Sequence, residues 1–186
     1  MYSVFEEHTE WISKGKAGVP QELGLRVCIV EGEYGFILHH RVMVDEEDSE
    51  IAVPIIKETK RLYKNVTSCS FDKGFHSPDN QRDLQKELDS CILPRKGKLK
   101  GEDKKREGTE EFKSLRKAHA AVESAINALE NHGLDRCCDH GLDGFERYVS
   151  MAIVARNIHL VGVELQKREL VLLQKRKSRR ILKNAA

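Results

Sequence analysis

Two short runs of β-branched and apolar residues, Leu25–Val30 and Phe36–Val44, flank the polar stretch Glu31-Gly32-Glu33-Tyr34-Gly35. Glycine supplies turn conformations that other residues resist, so this pattern predicts a β-hairpin. From Ile51 to Tyr63 the positions Ile51, Pro54, Ile55, Thr59 and Leu62 recur near the helical period and predict a helix. Pro54 is tolerable there only in the first turn. Asn65–Phe71 predicts the next strand, which stops at Asp72. Ser77-Pro78 then offers a cap followed by a proline at the first helical position, so a helix runs from there to Leu88. Ser90–Leu93 reads as a short strand closed by Pro94. Strand, hairpin, helix, strand, helix, strand describes an α/β domain with a mixed sheet.

The stretch Lys96–Thr109 is highly charged and Gly-bearing and predicts an exposed, mobile loop. Beyond it, Phe112, Leu115, His119, Val122, Ile126 and Leu129 recur at helical spacing. Glu110–Asn131 is therefore expected as an amphipathic helix that ends at Gly133. Glu123 lies one residue off this stripe, about 100° round the helix from Val122, facing the same way as Arg116 and His119. Gly133–Gly144 reads as a turn region and Phe145–Leu165 as a second helix, apolar on most of its circumference. Gln166–Ala186 is a basic tail that continues as a helix or frays, with a disordered end. At the other end, Met1–Gln21 reads as a short strand or frayed end, then a Gly/Pro-rich loop.

A chain of 186 residues is long enough for one domain with a core that needs no staples. Its five cysteines form no CxxC pair and are odd in number, which implies free thiols and a reducing, cytosolic setting. No charged-then-apolar leader opens the sequence and no run of about 18 apolar residues occurs, so neither secretion nor a membrane span is expected. The net charge is only +2, but basic clusters at Arg95–Arg106 and Lys167–Lys183 and an acidic run at Asp45–Glu50 make the distribution uneven. That asymmetry hints at a polyanion near the basic parts; solvated surface is the alternative reading.

The candidate chemistry starts at Asp72, a carboxylate where a strand stops and Gly74 allows a sharp turn. A carboxylate so placed suits a hard cation such as Mg²⁺. Two-metal cleavage of a phosphodiester requires acidic ligands converging from separate segments, and Glu123 on the long helix meets that demand. A third would come from Glu6, Glu7 or Glu10. Taken singly, Asp72 reads first as a turn-forming residue. Glu123 alone reads as a rim residue pairing with His119 or Arg116. Cys137, Cys138, His132 and His140 lack the spacing of a zinc site.

Several motifs taken together carry more. They are Asp72-Lys73-Gly74-Phe75-His76-Ser77-Pro78-Asp79-Asn80, Leu93-Pro94-Arg95-Lys96-Gly97 and Arg116-Lys117-Ala118-His119-Ala120-Ala121-Val122-Glu123-Ser124-Ala125-Ile126-Asn127. Gly133-Leu134-Asp135-Arg136-Cys137 and Val154-Ala155-Arg156-Asn157 follow in order, and Phe5–Ala17 and Phe36–Met43 extend the likeness upstream. Together they resemble the C-terminal half of a bacterial insertion-sequence transposase of the DDE type, over nearly the whole chain up to about Arg168.

The resemblance implies an RNase H-like fold, a five-stranded mixed sheet flanked by helices, with a C-terminal helical extension. Residues 1–165 would form the catalytic domain and 166–186 a basic tail. It implies Asp72 and Glu123 as catalytic metal ligands, with the first acid either Glu6 or Glu7 or lost with an upstream segment. Mg²⁺, or Mn²⁺, would be the cofactor. The implied reaction is cleavage at transposon ends, then attack of a 3′-hydroxyl on target duplex DNA, by a homo-oligomer on DNA in the bacterial cytoplasm. Lys73, Arg95, Lys96, Lys98, Arg116 and His119 are the expected DNA contacts. Relatives with a Tyr-Arg-Glu-Lys signature carry Arg where this chain has His119 and Tyr where it has Arg116; His119 would contact phosphate only weakly at neutral pH. Full-length relatives also carry an N-terminal DNA-binding region, so the chain reads as a truncated copy. The competing readings are an inactive remnant that binds DNA or an intact transposase, and a small RNase H-like nuclease.

Overall fold

The computed structural model describes residues 6–13, 21–99, 101–134 and 136–184. Most of the expected opening loop, residues 14–20, lies outside them, as does Met1–Phe5. What is described there is β1 (Glu10–Ser13), paired antiparallel with β2 (Gln21–Gly24).

The expected hairpin is present as β3 (Arg26–Glu31) and β4 (Ile37–Met43), with Arg26 opposite Met43 and a bulge between Val30 and Glu31. Its turn is closed by Gly32 N–H donating to the Phe36 carbonyl at 2.8 Å and Gly35 N–H to the Gly32 carbonyl at 2.9 Å. Gly35 sits at φ 80°, where a side chain would be strained. The unbroken apolar run Val27-Cys28-Ile29-Val30 has a physical cause. Side chains alternate across a strand, so Cys28 and Val30 pack against one core cluster while Val27 and Ile29 pack against another. The first cluster is Ala52, Ile55, Ile56, Phe71, Leu84, Leu88 and Leu93; the second is Ile37, Leu129, Val149 and Ile153.

Helix α1 spans Asp48–Leu62, so it begins within the acidic run rather than after it. Glu47 and Glu50 form a capping box, with Glu47 N–H donating to Glu50 Oε2 at 2.8 Å, and Asp48 and Glu50 place negative charge at the positive end of the helix dipole. Pro54 consequently falls in the second turn instead of the first, a correction to the sequence expectation. The buried Thr59 hydroxyl is satisfied by the Ile55 carbonyl at 2.7 Å.

Strand β5 (Ser68–Ser70) is shorter than expected and pairs parallel with β6 (Ser90–Ile92) through the crossover helix α2 (Pro78–Glu87). Ser77 caps α2 as expected, its hydroxyl accepting from Asn80 N–H at 3.0 Å. Buried Asn80 in turn donates to the Ser49 carbonyl at 2.6 Å and the Phe75 carbonyl at 2.8 Å, which ties the turn after β5 to α1.

The charged stretch after Leu93 is not simply a loop: α3 occupies Gly101–Glu107. Arg95 pairs with Asp103, its N–H donates to Glu107 Oε1 at 2.7 Å, and Arg106 reaches Asp103 at 3.4 Å. These ion pairs hold a segment whose composition alone argues for a loop. Thr109 then caps α4 (Glu110–Leu129), accepting from Phe112 N–H at 3.2 Å, and Gly133 at φ 104° ends the wider turn that follows.

Helix α5 runs from Gly141 to Asn184 without a break at residue 165. Asn157 is its anchor. The side-chain amide accepts from Ile37 N–H at 3.0 Å and donates to the Ile37 carbonyl at 2.9 Å, mimicking a neighbouring strand on the outer edge of β4. Most of α5 beyond that point is exposed, and Gly141–Ser178 is long and apolar enough to cross a membrane by length and composition alone. In place of one five-stranded sheet, the described strands form three two-stranded ladders, β1–β2, β3–β4 and β5–β6.

Candidate active site at the end of strand β5

Sequence places Asp72 by anchoring the residues on either side of it. Phe71 is buried and its N–H extends the β5–β6 pairing to the Ile92 carbonyl at 2.9 Å, while the Phe71 and Phe75 rings lie 5.7 Å apart. Between them Asp72 is exposed in extended conformation, and its side chain makes no capping bond to the short 3₁₀ turn Lys73–Phe75. The carboxylate is thus not used as the turn-former that its sequence context suggests.

Asp72 lies on the rim of a cavity of about 1120 Å³. Across it runs α4, which contributes Leu115, His119, Val122 and Ile126 to the wall. These residues stand at intervals of three or four, so one helix face looks into the cavity. The apolar stripe is buried at its ends, at Phe112 and Leu129, but open in the middle: Leu115 is 37% and Ile126 42% exposed. His119 crosses to β5, where its Nδ1 meets Ser70 Oγ at 3.0 Å, two residues before Asp72. Glu123 belongs to the same helix, next to Val122 and one turn after His119; its side chain lies outside the described part of the structure.

Three more carboxylates border the cavity, Glu31, Glu33 and Asp48, none of which sequence reasoning singled out. Asp48, at the start of α1, fills the space where a side chain on Gly74 would begin and lies 3.8 Å from Arg26. In the sequence it is one of several acids in the run Asp45–Glu50, and only the packing of α1 on the turn after β5 singles it out. Glu6 sits elsewhere, at the start of α5: its carboxylate accepts from Gly141 N–H at 3.0 Å and lies 3.3 Å from His140 Nδ1. That is a helix N-terminus, where a negative charge is favourable. Among the described residues, no group of three or more His, Cys, Asp or Glu side chains is close enough to hold one metal ion.

Of the expected DNA contacts, Lys73, Lys96, Lys98 and Arg116 are exposed, whereas Arg95 is paired with Asp103. The hydrogen bond from Arg95 holds the Asp103 carboxyl below its usual range. The cavity walls also carry Cys28 and Cys69. Burial pushes both thiols up to about 12, so both stay protonated and unreactive at neutral pH. All five cysteines are free. The oxygen donors Asp72 and Asp48 suit a hard cation; the protonated thiols do not offer a soft site. A separate, more polar cavity of about 490 Å³ lies against β4 and α5, lined by His40, Arg41, Glu46 and Ser150, away from Asp72.

The described residues thus form an α/β domain in which an exposed carboxylate follows a parallel strand and shares a cavity with one face of a long helix. The chain belongs to the Transposase DDE domain family, whose sequence profile matches residues 4–158 of 186. No curated protein and no solved structure matches it. Membership makes it a transposase domain, whose substrate is DNA and whose family typically works with divalent metal ions.

Proposed function

We propose that this chain is the catalytic domain of an insertion-sequence transposase that cleaves transposon ends and joins the freed 3′-hydroxyl to target duplex DNA. The observation that carries this reading is the placement of Asp72: a carboxylate left uncommitted by its own turn, at the rim of a cavity whose far wall is the helix bearing Glu123. Asp72 and Glu123 are assigned as metal ligands. Asp48 lies on the same cavity and packs against Gly74 in the turn after Asp72, which makes it a candidate third acid; Glu6 is the alternative carried from the sequence. Mg²⁺ or Mn²⁺ bound there would stabilise the attacking and leaving oxygens of the displacement. The protein's own part is to hold the carboxylates on a sheet end and a helix, and Ser70–His119 braces those two elements against each other. Lys73, Lys96, Lys98 and Arg116 supply exposed positive charge for DNA phosphates, a contact that weakens steeply with salt.

The domain acts in the bacterial cytoplasm, at the nucleoid, as a homo-oligomer on DNA. Met151, Val154, Ile158, Val161 and Leu165 support the oligomer: exposed apolar residues recurring at three- and four-residue intervals along α5, as in helix pairs. A second reading, an inactive remnant that binds DNA or an intact transposase, is favoured by the lack of a third clustered acid among the described residues. One assay separates them. Mg²⁺-dependent nicking of a terminal inverted repeat, abolished in Asp72→Asn with DNA retention unchanged, supports the transposase reading; retention of DNA without nicking supports the remnant.

A further inference from the structure

Three of the five cysteines, Cys28, Cys69 and Cys91, pack against one core cluster, to which α1 gives Ala52, Ile55 and Ile56 and α2 gives Leu84. Two of them are paired by the fold. Cys69 is the middle residue of β5 and Cys91 the middle residue of β6, and the parallel ladder sets them directly opposite each other, between Ser68–Ser90 and Ser70–Ile92. Partners in a ladder point to the same face, and the shared cluster shows which face that is. The Cys69 thiol donates to the Ser70 carbonyl at 3.6 Å. Its proton is held first by burial and then by the nearness of Cys91 and Cys28.

One buried cysteine is a small apolar filler; an opposed pair has chemistry that one lacks. A direct disulfide does not suit this pair. Neighbouring strands lie about 4.8 Å apart and their side chains leave in parallel, so the two Cβ atoms stand about as far apart, beyond the ~3.5–4.5 Å that a disulfide spans. One atom set between the sulfurs makes up the difference. Zn²⁺ is not that atom, because it takes thiolates and about four ligands. Burial pushes the thiols up, to about 12 at Cys69 and about 11 at Cys91, and among the described residues no third metal-ligating group joins them. A neutral trivalent arsenical needs neither. Each thiol gives its proton to a hydroxide that leaves the arsenic as water, two sulfurs are enough, and no charge enters the core. Cys69 lines the cavity of about 1120 Å³, which gives a small neutral molecule a way in.

We propose that Cys69 and Cys91 form a two-thiol site for trivalent arsenicals of the type R–As(OH)₂, arsenous acid included. The step balances without an oxidant: R–As(OH)₂ and two Cys–SH give R–As(S–Cys)₂ and two H₂O. Two S–H and two As–O bonds break, two As–S and two O–H bonds form, and arsenic stays trivalent. Cys28 takes no part in the bridge, since β3 pairs with β4 and not with β5. The bound arsenic sits between the β5–β6 ladder and the helices that cover it, three residues before Asp72. Occupancy therefore displaces the end of β5 and stops nicking; this consequence alone rests on the transposase reading.

The probe is phenylarsine oxide, which hydrates in water to phenyl–As(OH)₂. The full chain carries Cys137→Ser and Cys138→Ser, because that adjacent pair offers a second place for two sulfurs to meet. Binding is followed by intact mass in native buffer. The expected result is one phenylarsenic per chain, released by a 1,2-dithiol and not by the same concentration of a monothiol. Affinity should fall at least about fiftyfold in Cys69→Ala and in Cys91→Ala, since losing either sulfur removes the chelate, and stay within about twofold in Cys28→Ala. Cys69→Val and Cys91→Val repeat the measurement with the core filled, and circular dichroism checks that each variant is folded. The urea-unfolded chain, in which the two thiols are no longer opposed, should bind at least about tenfold more weakly. No adduct on the folded chain overturns the proposal, as do an equal loss in Cys28→Ala, full binding after removal of either Cys69 or Cys91, and equal binding by the unfolded chain. Nicking is read on the same samples. A chain that binds the probe as expected but nicks no DNA even when free of it leaves the two-thiol site standing and counts against the transposase reading alone.

Discussion

Replacing Asn157 by leucine should destabilise the fold far more than a surface helix substitution does. The side chain supplies both a donor and an acceptor to Ile37, at 2.9 and 3.0 Å, on a residue only 4% exposed. Leucine has the same branch point and the same number of side-chain heavy atoms, so the loss is polar rather than a cavity. Each buried backbone group left without a partner costs about 1–3 kcal/mol. Water reaching the β4 edge recovers part of this, leaving about 2–4 kcal/mol for the pair. For a chain of this size that corresponds to a fall in Tm of about 5–15 °C. Asn157→Asp keeps the acceptor for Ile37 N–H but sets an oxygen against the Ile37 carbonyl, so it should not restore stability. Thermal and urea unfolding, with amide exchange at Ile37, measure the effect. A leucine variant that melts within about 1 °C of the parent with Ile37 still protected would refute the strand-mimic account.

Leu84→Ala removes a fully buried side chain from the first core cluster and should cost about 2–5 kcal/mol in urea unfolding. His40 has its proton affinity lowered first by burial, then by neighbouring His39, with Glu146 opposing. Because the folded state then binds the proton less readily than the unfolded chain, its stability is fully present above the ordinary value of 6.5 and falls as the pH drops below it. Unfolding midpoints measured from pH 7.5 to 5.5 should decline, and His40→Asn should flatten that decline. Glu6→Gln should weaken the start of α5 by about 0.5–1 kcal/mol while leaving nicking intact; loss of nicking at unchanged stability would restore Glu6 as a metal ligand.

What the sequence made legible was local. The hairpin follows from two apolar runs and the glycines between them, and α2 from a serine–proline pair whose hydrogen bond is present as expected. The start of α1 was misplaced because Glu47–Glu50 reads as solvated charge until its reciprocal capping is seen. Helix α3 was missed because Arg95, outside the segment, holds it through Asp103 and Glu107. At the site, Asp72 is visible as the end of a strand pattern. Asp48 and Asn157 are not, since the one depends on a glycine packed against it from another element and the other on a strand edge 120 residues away in sequence. Periodicity ranks residues by face and says nothing of such encounters.

Strand β3, apolar on both faces, acts as a party wall between two cores. Neither core can open toward it without disturbing side chains that belong to the other, so their local openings are coupled and the molecule should lose structure in one cooperative step rather than cluster by cluster. The same two-sidedness means that a one-residue slip would exchange one apolar set for another at little hydrophobic penalty. Keeping the strand in frame therefore falls to the tight turn at Gly32–Phe36 and the bulge at Val30/Glu31, which makes that small corner a sensitive place for mutation.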